Sequence, residues 1–158
     1  MPDDDAPSID EIAQDERELV FDAFDHDVAV DLGLHVLAAA REAGRGVTID
    51  IRKAGQQVFH AALPGTAPDN DAWAERKARA VARFHKSSLR LGLECKAGGT
   101  TLEERYGLPP NEFAAHGGSF PITVRGTGVV GAVTVSGLPQ VEDHRLVVAC
   151  LRSFLAPR

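Results

Sequence analysis

The side chains best suited to chemistry fall in residues 116–145, HGGSFPITVRGTGVVGAVTVSGLPQVEDHR, and in one helix-forming segment before them. His116 carries an imidazole whose ordinary pKa lies near neutrality, which suits it to proton transfer or to metal ligation. Gly117 and Gly118 follow directly, and paired glycines let backbone amides approach a ligand closely. The trio leads into a strand rather than a helix, so it is no phosphate loop of the P-loop kind. The same pair also serves as a plain turn with positive φ. Asp143 and His144 stand in the first turns of the closing helix, where the dipole attracts anions. Adjacent helical positions point in different directions, so adjacency does not make these two a hydrogen-bonded dyad, and Asp143 also suits the capping of exposed amides.

Lys77 is the most unusual residue by position. It lies four residues after Trp73 and four before Val81, on the inner stripe of its helix, where an ammonium is costly unless it is paired or reaches water. Two readings follow. Lys77, with Arg76 beside it, lines a pocket for an anionic ligand such as a carboxylate. Alternatively it makes an internal salt bridge to Asp50, Asp143 or a loop carboxylate. Among the other ionisable residues, His60 alternates with Val58 and Ala62 and reads as an interior histidine. Asp31 and His35, at i,i+4 spacing, read as a solvated helix pair. His85, Ser87 and Ser88 end a helix, where imidazole favours the dipole. No His, Cys, Asp or Glu set has structural-zinc spacing, and neither GxSxG nor a P-loop occurs, so a hydrolase or nucleotidase has little support. No metal site and no catalytic residue is assigned.

The elements that must position these residues follow from periodicity and turn chemistry. Residues 1–7 are acidic with nothing to bury and are expected to form a disordered tail, leaving residues 8–158 as one domain. Ser8 and Glu11 have capping-box spacing for a short, mostly solvated helix. LVFDAF, residues 19–24, is β-prone, and Asp25 caps a long helix whose Val30, Leu34, Leu37 and Ala38 form the expected inner stripe, closed by Gly44. VTIDIRKAGQQVFHAAL is a hairpin about residues 53–56, with Val47, Ile49 and Ile51 opposite Asp50 and Arg52. The loop PGTAPDND offers Asp69, Asn70 and Asp71 as caps for a helix carrying Trp73, Ala80, Val81, Phe84 and Leu91 inward, interrupted by KAGGT. LEERYG is a short turn that Pro109-Pro110 ends. A second hairpin spans residues 120–136 about Gly126-Thr127-Gly128, and residues 129–135, apolar or small on both faces, read as a central strand. Val141, Leu146, Val147, Cys150, Leu151 and Phe154 make the closing helix amphipathic. Two hairpins bracketing a helix predict an α+β fold, a profilin/PAS-like sandwich with a roughly five-stranded, mostly antiparallel sheet flanked by helices.

Composition narrows the setting. With 158 residues and 44% hydrophobic content the chain can bury a substantial core. A formal charge of −6 leaves no basic stripe, which argues against nucleic acid as a partner. The apolar runs are too short for a bilayer, and the start MPDDDAPSIDE lacks the basic and apolar regions of an export signal, so no membrane association and a cytoplasmic location are expected. Cys95 and Cys150 stand apart, without CxxC, and read as two reduced, partly buried thiols.

IDIRKAGQQVFH (residues 49–60), LPGTAPDNDAWAERKARAV (63–81), HGGSFPI (116–122) and VGAVTVSG followed by Asp143-His144 resemble the GlcG/HbpS-like domain family, often labelled haem-degrading, and especially its functionally uncharacterised cytosolic branch. The resemblance implies a sheet sandwich with flanking helices, homo-oligomerisation, and binding of haem or another small molecule in some members. On the residue readings above, His116 could supply an imidazole to a haem iron and Lys77, with Arg76, could face a propionate, in a cleft formed with Gly117, Gly118, Asp143 and His144. The first expectation is therefore a small-molecule or haem-binding homo-oligomer. A haem-degrading or related redox enzyme rests on the resemblance alone, and a non-catalytic assembly or adaptor protein is suggested by the acidic composition. The shared fold assigns no reaction.

Overall fold

The computed structural model describes residues 5–157. Helix α1 (Ile9–Glu18) starts in the expected capping box: Ser8 Oγ accepts from Glu11 N–H at 3.1 Å and the Glu11 carboxylate accepts from Ser8 N–H at 3.0 Å. Residues 1–4 of the expected tail lie outside the described residues. Asp5 is held by Arg145, whose guanidinium donates to its carboxylate at 2.9 Å. A two-residue strand, β1 (Val20–Phe21), leads to α2 (His26–Glu42), where Asp25 accepts from Val28 N–H at 2.8 Å.

The inner stripe of α2 is not the expected one. Ala29, Leu32, Gly33, Val36 and Ala40 face the core, while Val30 and Leu34 are 38% and 52% exposed. The helix is turned this way because Gly33 meets the ring of Phe59, on the strand β3 (Gln56–Ala62), with no room between them for a β-carbon. A glycine gives no hydrophobic signal, so the apolar count alone selects the wrong face.

β2 (Thr48–Lys53) and β3 form the first hairpin, joined by Ala54 and Gly55, both at positive φ as a type I′ turn demands. Helix α3 (Pro68–Phe84) begins earlier than the caps proposed at residues 69–71: Pro68 takes the first helical position and Asn70 Oδ1 accepts from Ala67 N–H at 2.8 Å. It also ends earlier. His85 adopts a left-handed conformation with φ 57°, and Ser87 caps a separate helix, α4 (Ser88–Ala97), which carries Leu91. The continuous inner stripe expected through Leu91 is therefore two helices. α5 (Leu102–Tyr106) follows, then β4 (Ser119–Val124), β5 (Gly128–Ser136) and α6 (Gln140–Leu155).

The five strands form one sheet in the order β1-β4-β5-β2-β3, antiparallel throughout except for β1, which runs parallel to β4. The fold is α+β, with β5 at the centre. The two faces of the sheet differ. Ile49, Ile51, Phe120, Ile122, Val133 and Val135 meet α2 and α6 in the main core. On the other face Thr48, Asp50, Ser119, Ala132, Thr134 and Ser136 lie buried beneath α3. That hydroxyl-lined layer positions the residues of the site.

Candidate functional site

Alternation along β5 puts Thr134 and Ser136 on the α3 side, and the helical period of α3 brings Ala74, Lys77, Ala78 and Val81 down onto them. Lys77 is 3% exposed. Its ammonium donates to Asp143 Oδ2 at 3.1 Å and to the Val135 carbonyl at 3.3 Å. Asp143, 1% exposed on the first turn of α6, also accepts from Leu138 N–H at 3.0 Å. The internal salt bridge expected of Lys77 is therefore present, with Asp143 as its partner, and Lys77 also lines a cleft. The cleft is about 290 Å³ and is bounded further by Asn70, Trp73, His116, Ser136 and Gln140.

Gly118 explains how an ammonium fits there. Its φ is +135°, and a β-carbon on it would lie 2.8 Å from Lys77 Nζ and overlap the Val135 carbonyl. Burial, the largest influence, pulls Lys77 below the ordinary lysine value against the opposing pull of Asp143, and Arg76 adds to the lowering. Burial likewise raises Asp143 above the usual carboxylate range, with Lys77 and the Leu138 amide acting the other way.

A second cleft, about 540 Å³, adjoins the first and shares Trp73 and His116 with it. Its walls are mostly apolar: Leu102, Leu108, Phe113 and Ala115 contribute, together with Cys95, whose thiol burial raises above its ordinary value. The His116 ring meets Trp73 edge-on, with centroids 5.2 Å apart, and the Arg76 guanidinium lies 4.0 Å from the centre of the indole. Arg76 also donates to the Pro110 carbonyl at 3.4 Å, which ties it to the double-proline loop. The arrangement offers an aromatic wall, a cation over it and an imidazole at its edge.

The other residues singled out by sequence divide clearly. Gly117 and Gly118 serve the protein's own packing: Gly117 N–H donates to Gln140 Oε1 at 3.0 Å, and Gly118 sits beneath Lys77. His144 points away from both clefts into the main core, 6.1 Å from the Phe120 ring, with no partner on Nδ1. His60 is exposed, not interior, and pairs with Asp71 at 2.5 Å, because β3 turns it toward α3 at the edge of the sheet. His35 bonds to Ser153 on α6 at 2.7 Å, not to Asp31. His85 forms the left-handed cap of α3. Among the described residues no three His, Cys, Asp or Glu side chains gather as a metal site. Trp73 was legible only as part of an inner stripe. Its place as the wall between two clefts depends on the residues 108–115 that fold back against α3, and no periodicity signals that.

Comparison with known proteins agrees with this architecture. Residues 24–152 match the family model described as haem degrading protein HbpS-like. The UPF0303 protein SCO2848 of Streptomyces coelicolor is 58% identical over 150 residues, covering 95% of each chain. The crystal structure of Ybr137w protein superposes with a TM-score of 0.85 at 34% identity, over 93% of this chain and 87% of that one. The crystal structure of a PduOC:Heme complex shares the fold at 18% identity, with a TM-score of 0.67 over 81% of this chain and 94% of that one.

Proposed function

This chain belongs to the HbpS-like family of haem degrading proteins, and from that premise we propose that it binds a planar, largely apolar ligand bearing carboxylates, with haem the first candidate, in the larger cleft. The observation that carries the reading is the Arg76-Trp73-His116 array over an apolar floor of Leu102, Leu108 and Phe113. The cleft volume of about 540 Å³ lies within the range of roughly 300–1,000 Å³ usual for small-molecule sites. The residues fit a haem: His116 would supply an imidazole to the iron, Arg76 the charge facing a propionate, and the apolar wall the contact with the macrocycle. Bound haem would contribute an iron centre whose properties follow its axial ligand and surroundings. A protein of this fold crystallised as a haem complex supports the assignment.

The reading includes self-association and a cytoplasmic setting. Self-association is supported by Val30 and Leu34, which project one turn apart from the outer side of α2 beside the edge strand β3. The cytoplasmic setting is supported by two buried, unpaired thiols. Among the described residues no helix is long and apolar enough to cross a membrane.

Titration with hemin, followed in the Soret band, tests the function. A saturable shift is expected, with its spectrum altered in His116→Ala and affinity about tenfold weaker in Arg76→Ala, equivalent to about 1.4 kcal/mol. The absence of any saturable shift removes haem, and an unaltered spectrum in His116→Ala removes His116 as the iron ligand.

A further inference from the structure

We propose that the smaller cleft holds a reactive amine: Lys77 condenses with a small, uncharged, hydroxylated aldehyde to form an imine on Nζ, with Asp143 as the proton acceptor 3.1 Å away. This activity is separate from the binding of a haem-class ligand and shares with that site only the Trp73 and His116 walls.

Three observations carry it. The first is proton accounting: an ammonium has three donors, and the described residues provide acceptors for two, Asp143 Oδ2 and the Val135 carbonyl. The third is left for an occupant of the cleft that Lys77 lines. The second is desolvation beside another cation. Lys77 is 3% exposed, Arg76 adjoins it, and both influences favour the neutral, nucleophilic amine. The third is the lining. Asp69 and Asp143 line the cleft with Lys77, so an anion gains little there, whereas Asn70 and Ser136 bring amide and hydroxyl groups to a hydroxylated carbonyl compound.

The step balances without any oxidant or reductant. Lys77 passes a proton to Asp143, and the freed electron pair attacks the carbonyl carbon, forming the C–N bond. The nitrogen proton moves to oxygen to give a carbinolamine. Asp143 returns its proton to the departing hydroxyl, the C–O bond breaks, and water leaves. The product is a protonated imine facing the regenerated Asp143 carboxylate, so the charge pair of the resting protein is preserved.

The chain contains four lysines, at positions 53, 77, 86 and 96, so the test has an internal control. The protein is incubated briefly with glycolaldehyde and cyanoborohydride at neutral pH, without hemin, and adducts are located by peptide mass spectrometry. Lys77 is expected to be alkylated at least tenfold faster than Lys53, Lys86 or Lys96, and Asp143→Asn is expected to slow Lys77 several-fold. Lys77→Arg, which keeps a cation opposite Asp143, is expected to abolish the fast-labelling site. Alkylation of Lys77 no faster than that of the other three overturns the proposal. The wild-type competition decides the matter even if a variant folds poorly, and a failure of hemin binding leaves it untouched.

Discussion

His144 shows how a single step along a helix sends two adjacent polar residues to different surroundings. Asp143 faces the cleft and is fully engaged, whereas His144, 2% exposed, enters the core with Nδ1 unpartnered. Burial, aided by the Arg145 charge, pushes its pKa down from 6.5 to about 4. The unfolded chain therefore binds a proton that the folded chain refuses between those values. The His144 contribution is fully present above about pH 6.5 and falls away toward pH 4, by about 3 kcal/mol in all. Denaturant unfolding at pH 7 and pH 4.5 is expected to show this loss in the wild type and a markedly smaller loss in His144→Leu; equal losses would place the acid sensitivity elsewhere. At this scale the sequence was partly legible. The four-residue spacing from Trp73 to Lys77 to Val81 revealed a buried ammonium, but its partner lies 66 residues away, and spacing fixes a face without choosing among distant carboxylates. Likewise the Asp143-His144 step could be placed near a helix start, but which of the two faced the cleft depended on the phase at which α6 docks.

Elements were legible wherever alternation and turn chemistry agreed, as in both hairpins, and illegible wherever a small residue performed a packing task. Helix α2 is the clearest instance, since its true inner face includes Gly33 against Phe59. Gly33→Ala sets two effects in opposition: the helix gains about 1 kcal/mol of propensity, while the forced displacement of the ring costs typically 1–3 kcal/mol. The clash is expected to win, lowering the thermal midpoint, whereas the same substitution in a Phe59→Ala background is expected to raise it. A double-mutant cycle measures the sign change, and additivity of the two substitutions would refute the close contact. The end of α3 was legible at His85, Ser87 and Ser88, but the inner stripe carried on to Leu91 concealed that a second helix restarts there. His85 takes the left-handed conformation that glycine would have announced, and only Ser87, as the cap of α4, marks the restart. The parallel pairing of β1 with β4 joins segments about 100 residues apart, which no local pattern encodes.

For the whole molecule, the outward side of α2 is the surface to probe. Leu34 is 52% exposed, so Leu34→Glu is expected to change the stability of the isolated fold by less than about 0.5 kcal/mol. It is nonetheless expected to reduce the mass observed by sedimentation velocity if Val30 and Leu34 meet another copy. An unchanged mass in a folded variant moves the contact elsewhere. The sheet itself has a broader consequence. Its aliphatic side, gripped by α2 and α6, forms the main core, while its hydroxyl-bearing side lies beneath α3 and lends Ser136 to the smaller cleft. Because alternate residues of the same strands serve these two duties, descent with modification can rewrite one register of side chains and spare the other. A lineage built this way can diversify its chemistry while its architecture stays still.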